Sequence, residues 1–332
     1  MEPRIRNQFN QHILAETAAR YGVPVETVRP LESAESFIFE FERAGQPLIL
    51  RIGHSLRRNM HLIQGEVDWI NFLARGGADV APAVLSQQGE LVEHIADGAG
   101  EHFLATAFVK AAGRPPEAAD ETPAFFERYG QAIGRMHRLT KAYEPAQTAW
   151  RRPHWDDPIM QDLDGFLPPS EALAQQKLWA QIEHLRQLPR DSESYGLVHQ
   201  DAHGGNFFVD AAGALTFFDF DDCCYTWFVA DVAIVLFYAA VGKEDAAAFT
   251  SSFLPHFLRG YQRENSFADE WFAQIPHFLK LRELELYALI HRSHDVNNLT
   301  HWWDIRYMAG RKERIENDAP FIDYDFAGLN WQ

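Results

Sequence analysis

Long apolar runs, spare cysteines and an excess of positive charge are all missing from this 332-residue chain. No stretch approaches the ~20 apolar residues that a membrane-crossing helix needs. The first residues, with Glu2, Arg4 and Arg6, lack the apolar segment of a secretion signal. A soluble, cytoplasmic protein with no membrane partner is expected. The two cysteines, Cys223 and Cys224, are adjacent, with no others to pair with or to make a metal-ligand spacing. That excludes a disulfide framework and predicts reduced thiols. Lys and Arg number 30 against 47 Asp and Glu, a formal charge of −17. A surface so acidic repels nucleic acid, which removes that class of partner, and attracts cationic amines. Solubility is the simpler use of the same charge. Repeats and low-complexity tracts are also absent, and 46% hydrophobic residues leave ample material for a core.

A single core usually stops growing at roughly 250–300 residues, so a chain of this length is expected to form two unequal lobes. Residues 7–20 read as a helix that Tyr21-Gly22-Val23-Pro24 breaks. The β-prone runs Ser36 to Phe41 and Pro47 to Ile52 flank a turn at Ala44-Gly45, which makes a hairpin. Leu62, Ile63, Val67, Ile70 and Leu73 then recur at helical spacing until Gly76-Gly77 ends the run. Val84-Leu85, Leu91 to Ile95 and Phe103 to Val109 add three strands. Residues 1–110 therefore form a small, mainly antiparallel β-sheet lobe with helices, and Lys110 to Pro116 has a hinge composition. Residues 111–332 are mainly helical, with helices expected at 123–140, 170–188, 227–241, 244–263 and 272–297. The fold class is α+β and bilobal.

One β segment, Leu197 to Asp222, interrupts the helices and carries the chemistry. Its two apolar strands, joined by a turn at Asp210 to Gly213, deliver Asp201, Asn206 and Asp219 to one small region. Phosphoryl transfer from a nucleotide needs such a trio. Mg²⁺ is a hard cation that takes oxygen ligands, and Asn206 and Asp219 supply an amide carbonyl and a carboxylate. Asp201 can accept the proton of an attacking hydroxyl and aim its oxygen at the γ-phosphate. Gly204 and Gly205 permit a tight turn beside the metal.

The run His199-Gln200-Asp201-Ala202-His203-Gly204-Gly205-Asn206, followed by Asp219-Phe220-Asp221-Asp222, resembles the catalytic motif of the aminoglycoside phosphotransferase and choline kinase superfamily. That family shares the bilobal protein-kinase fold. The resemblance implies that Asp201 is the catalytic base, Asn206 and Asp219 the metal ligands, and His199 a prop for the catalytic loop. Asp231 resembles a buried Asp that anchors the loop, with a helix N-cap as the alternative. His203 stands where protein kinases usually carry Lys and small-molecule kinases often carry His. In the small lobe Arg51, paired with Glu66, matches the phosphate-binding cation, and a permanently charged guanidinium can fill that role. Ser33 and Ser36 lie in the turn expected over the phosphates, and Ala107 and Val109 lie on the strand expected to meet adenine. His137 matches a family helix position and reads as a packed histidine.

The acceptor site is expected between the catalytic loop and the C-terminal helices. Asp221, Asp222, His203, Arg282, Trp302 and Trp303 are its candidate residues, acids and aromatics suited to a cationic amine. The loop Trp150 to Asp156 is a weaker candidate to cover the cleft. The implied activity is ATP- and Mg²⁺-dependent phosphorylation of a hydroxyl on a small molecule, such as an amino alcohol, amino acid or aminoglycoside-like compound, with GTP as the alternative nucleotide. A bacterial Ser/Thr protein kinase of the same superfamily is the second reading. A pseudokinase or nucleotide-binding module is the third.

Overall fold

Strands Phe37–Arg43 (β2) and Gln46–His54 (β3) alternate buried and more exposed side chains, the pattern of a sheet with one face on a core. They are joined by Ala44 and Gly45, both at positive φ (52° and 80°). A two-residue turn of this kind matches the right-handed twist of the strands it joins. The computed structural model describes residues 3–33, 35–158, 166–266 and 268–329. Its main sheet runs β1-β2-β3-β6-β4, all antiparallel, from Arg29–Leu31 (β1), Ala83–Val84 (β4) and His102–Val109 (β6), with Glu93–Ala96 (β5) also on β6.

The opening helix expected at 7–20 is two helices, Pro3–Gln8 (α1) and Gln11–Arg20 (α2). Asn10 causes the break: its side chain accepts from the His12 and Ile13 N–H groups and caps α2. Met60–Arg75 (α3) is capped likewise by Asn59 and buries Ile63, Val67, Ile70 and Leu73, together with the charged Glu66.

Further helices are Pro123–Thr140 (α4), Ala172–Arg186 (α5), Phe228–Ala240 (α6), Ala246–Gln262 (α7), Ile275–Ser293 (α8), Trp302–Met308 (α9) and Arg311–Glu316 (α10). The last two go beyond the sequence expectation, being too short to show a clear apolar stripe. Helices α4 and α7 meet backbone to backbone: a Cβ on Gly130 would stand 1.8 Å from the Phe257 carbonyl oxygen, and one on Gly260 1.8 Å from that of Glu127. Tyr195–Val198 (β7) pairs with Cys224–Trp227 (β10), and Phe207–Val209 (β8) with Leu215–Phe217 (β9). Strand β10 lies just before α6, where sequence periodicity gives no sign of a strand. All four of its residues are buried.

The loop Trp150 to Asp156 does not line the cleft. Arg152 is 3% exposed and donates to the carbonyls of Leu62 (2.8 Å), Asp221 (2.6 Å) and Cys223 (2.9 Å), tying α3 to the loop after β9. Cys223 and Cys224 are buried free thiols, and burial pushes both pKa values up, which keeps them protonated. Among the described residues no helix is long and apolar enough to cross a membrane.

Candidate active site

The loop leaving β7 reverses at Gln200, whose φ of 69° lies in the left-handed region. Its N–H donates to Asp231 Oδ1 at 2.9 Å, and Asp231 Oδ2 pairs with His137 Nε2 at 3.0 Å. His137 Nδ1 meets the Tyr261 hydroxyl at 2.8 Å, which also accepts from Asn265 at 2.8 Å. This buried chain ties the loop to α6, α4 and α7. The cap of α6 is Trp227, so the Asp231 carboxylate serves the loop and not the helix end.

His199 supports the same loop from beneath. Its Nε2–H donates to the Phe218 carbonyl at 3.1 Å, and Nδ1 accepts from the Asp201 N–H at 3.4 Å. Burial pushes the ring's pKa down, so it stays neutral with one donor and one acceptor nitrogen.

Asp201 is surrounded by donors. Asn206 Nδ2 donates to its Oδ2 at 3.0 Å and to its backbone oxygen at 2.8 Å, and His203 Nε2 stands 3.3 Å from Oδ2. Arg282 Nη2 donates to Oδ1 at 2.7 Å. Burial alone would raise the carboxyl's pKa, but His203 and Arg282 outweigh it and hold it well below the usual range.

Asp219 is held the opposite way. At φ 63° it occupies a conformation rare for a residue with a side chain, and among the described residues no donor hydrogen-bonds its carboxylate. Burial pushes its pKa up to about 6; Arg51 opposes this, while Asp221, Glu66 and Asp222 reinforce it. A carboxylate that faces the cleft, short of protein donors and surrounded by like charge, favours a cation. Asp219 and the neighbouring Asn206 are hard oxygen donors, and this donor set fits a divalent ion that takes its remaining ligands from phosphate and water.

Arg51, on β3, forks onto Glu66 of α3, with Nη1 to Oε1 at 2.8 Å and Nη2 to Oε2 at 2.7 Å. Glu66 is fully buried behind it, and the guanidinium also lies over the Phe108 ring, 5.1 Å from its centre. A cleft of about 740 Å³ between the sheet and the loop bearing Asp201 is lined by Arg51, Asp201, His203, Asn206, Asp219, Asp221 and Asp222. Ser33, Ser36 and Val109 line it as well.

Other candidates fall differently. Ala107 does not line the cleft, because it is buried within the sheet between Leu50 and Val84; Val109, Lys110 and Ala111 form that wall. Trp302 is 66% exposed and Trp303 stacks on Tyr307, and neither lines the cleft. Arg282 engages Asp201 directly. The Asp221 carboxylate is taken by Arg57 (2.8 Å) and Arg58 (3.2 Å), and Asp222 by Arg58 (2.6 Å). Arg57 also pairs with Glu35, below Ser36 in the turn over the cleft. Sequence reasoning missed Arg57 and Arg58; the available signal was an Arg pair just past the strand bearing Arg51.

Residues 27–275 match the model of a family described as the phosphotransferase enzyme family. The chain is 39% identical over 323 residues to amicoumacin kinase of Bacillus subtilis (strain 168), covering 96% of each protein. It is also similar to a solved amicoumacin kinase in complex with AMP-PNP, Ca²⁺ and Ami, with a TM-score of 0.93 and 35% identity over 99% of this chain and 100% of that one. A microcompartment-associated aminopropanol kinase, at 20% identity, has the same fold, with a TM-score of 0.74 over 97% of this chain and 100% of that one.

Proposed function

The chain belongs to the phosphotransferase enzyme family, and from that premise we propose that it moves the γ-phosphate of ATP to a hydroxyl of amicoumacin or a closely similar amine-bearing compound. The observation that carries this reading is one cleft holding an anionic Asp201, the Asn206–Asp219 donor set and the Arg51–Glu66 pair, in a chain this similar to an amicoumacin kinase.

The residues divide the chemistry among them. Arg51, held in place by Glu66, presents its charge to the phosphate oxygens. Asn206 and Asp219 would hold Mg²⁺, which supplies positive charge against those oxygens when bound. Asp201 orients the acceptor hydroxyl and takes its proton on a carboxylate oxygen as the hydroxyl oxygen bonds to phosphorus and ADP departs. A low basicity suits that role, because in a loose transition state the hydroxyl is deprotonated late and aiming matters more than pulling. His199 and Asp231 hold the loop that carries Asp201. Val109 and its neighbours offer backbone to the base of the nucleotide, and Ser33 and Ser36 face its phosphates. A cytoplasmic location goes with this reading, because ATP is supplied there.

The acidic surface, and Asp222 close to Asp201, support a cationic acceptor. The test is to incubate the purified protein with ATP or GTP and Mg²⁺, with and without amicoumacin, and to follow ADP and the acceptor's mass. Acceptor-dependent ADP and a product heavier by one phosphate group are expected. No transfer to amicoumacin, combined with labelling of added proteins, would replace this reading with a protein kinase.

A further inference from the structure

The Asp201 carboxylate is clamped from two sides, and Arg282 on α8 supplies the second side. The first is the catalytic loop itself, where Asn206 and His203 meet Oδ2. Those contacts alone would leave the group free to pivot about Oδ2. Arg282 Nη2 closes on Oδ1 at 2.7 Å and also donates to the Tyr238 hydroxyl of α6 at 2.8 Å, so both of its hydrogens are committed. The guanidinium lies over the Tyr238 ring, 5.3 Å from its centre, and the His203 ring packs on the same tyrosine at 4.6 Å. Nη1 stands 3.6 Å from Glu285, too far for a firm hydrogen bond, and Nε is buried without a partner. Asp201 and Tyr238 therefore set where the guanidinium sits. The Arg282 side chain is 13% exposed, so water competes little.

We infer that Arg282 is a positioning residue for phosphoryl transfer: through one nitrogen shared with Tyr238, it fixes the Asp201 carboxylate in the orientation that receives the acceptor hydroxyl. A carboxylate offers about four lone-pair sites. Asn206 and Arg282 occupy two by hydrogen bonds and His203 stands 3.3 Å from Oδ2, which leaves room for the hydroxyl. In-line transfer tolerates little error, and a displacement of about 1 Å can cost about 100-fold. Arg282 arrives from α8, 81 residues beyond Asp201, so the clamp joins the catalytic loop to the C-terminal helices. The alternative is that the ion pair only neutralises a buried charge.

The inference rests on the proposed role of Asp201, and the test separates the two. Steady-state kinetics are measured for wild type, Arg282→Gln, Tyr238→Phe and the double variant, with ATP, Mg²⁺ and amicoumacin. Arg282→Gln is expected to lower kcat by about 10- to 100-fold with KM for ATP within about twofold. Tyr238→Phe should lower kcat by about three- to tenfold. The double variant should be no worse than Arg282→Gln, because both changes act through one nitrogen. A folded Arg282→Gln enzyme with wild-type kcat, or losses that multiply in the double variant, overturns the inference. If Arg282→Gln does not fold, Tyr238→Phe decides, and an unchanged kcat there is a refutation. If the wild type itself forms no acceptor-dependent ADP, the acceptor reading fails. Crystal structures of the nucleotide-bound wild type and Arg282→Gln (or Tyr238→Phe) then judge the clamp: a carboxylate turned away in the variant supports it, and one seated as in wild type overturns it.

Discussion

Two carboxylates of one hairpin region have their pKa values pushed in opposite directions by their neighbours. Asp201, given donors, is kept anionic, whereas Asp219, given anions and burial, is pushed up to about 6. Asp201→Asn keeps the shape but cannot take a proton, so kcat should fall about 10²- to 10⁴-fold while nucleotide affinity stays within about twofold. Isothermal titration beside turnover assays would check this, and preserved turnover would remove Asp201 from its role. For Asp219 the sign follows from a raised acid pKa. Stabilisation from its protonated form is present below the ordinary value near 4 and is lost as pH rises through about 6. Mg²⁺ held at Asp219 as proposed would need the ionised form, and above pH 6 it would compensate for what the free protein loses. Thermal stabilisation by Mg²⁺–ADP should therefore be larger at pH 8 than at pH 5, and Asp219→Asn should flatten that difference. An equal pH dependence in the variant would assign the effect to ADP alone.

Among the elements, the short loop before β8 owes its shape to helices far along the chain. Gln200 sits at positive φ because the Asp231 carboxylate on α6 waits for its N–H, and His137 of α4 and Tyr261 of α7 hold that carboxylate in turn. Asp231→Ala would strand a buried N–H and a buried histidine. A cost of about 3–5 kcal/mol is expected, together with a fall in kcat, read by urea denaturation and turnover. A loss below about 1 kcal/mol would mean that the loop keeps its shape unaided. Helix α3 has a similar double attachment, to β3 through Glu66 and Arg51 and to the loop after β9 through Arg152.

For the whole molecule, a charge of −17 coexists with arginines concentrated at the cleft, where Arg51, Arg57 and Arg58 stand beside Asp219, Asp221 and Asp222. The exterior attracts cations, and at the cleft each of these arginines is already paired with a carboxylate. With a cationic acceptor, kcat/KM should fall several-fold as ionic strength rises from about 0.05 to 0.5 M, because salt screens long-range attraction. A neutral acceptor should show little change. An equal response for both would remove steering from the account.

What the amino-acid order determined by itself was local. The hairpin around Ala44-Gly45, the stripe of α3 and the spacing of Asp201, Asn206 and Asp219 all depend on neighbours within about twenty residues, where backbone periodicity and turn chemistry govern. Arg51 and Glu66 were legible for the same reason: one strand and the next helix carry them. Tertiary structure alone decided that Arg282 reaches Asp201, that Arg57 and Arg58 take the carboxylates of Asp221 and Asp222, that Ala107 lies inside the sheet, and that β10 pairs with β7. These are contacts between segments distant in the chain, made when apolar faces pack and charged groups brought together must find partners. No local pattern encodes which partners those will be.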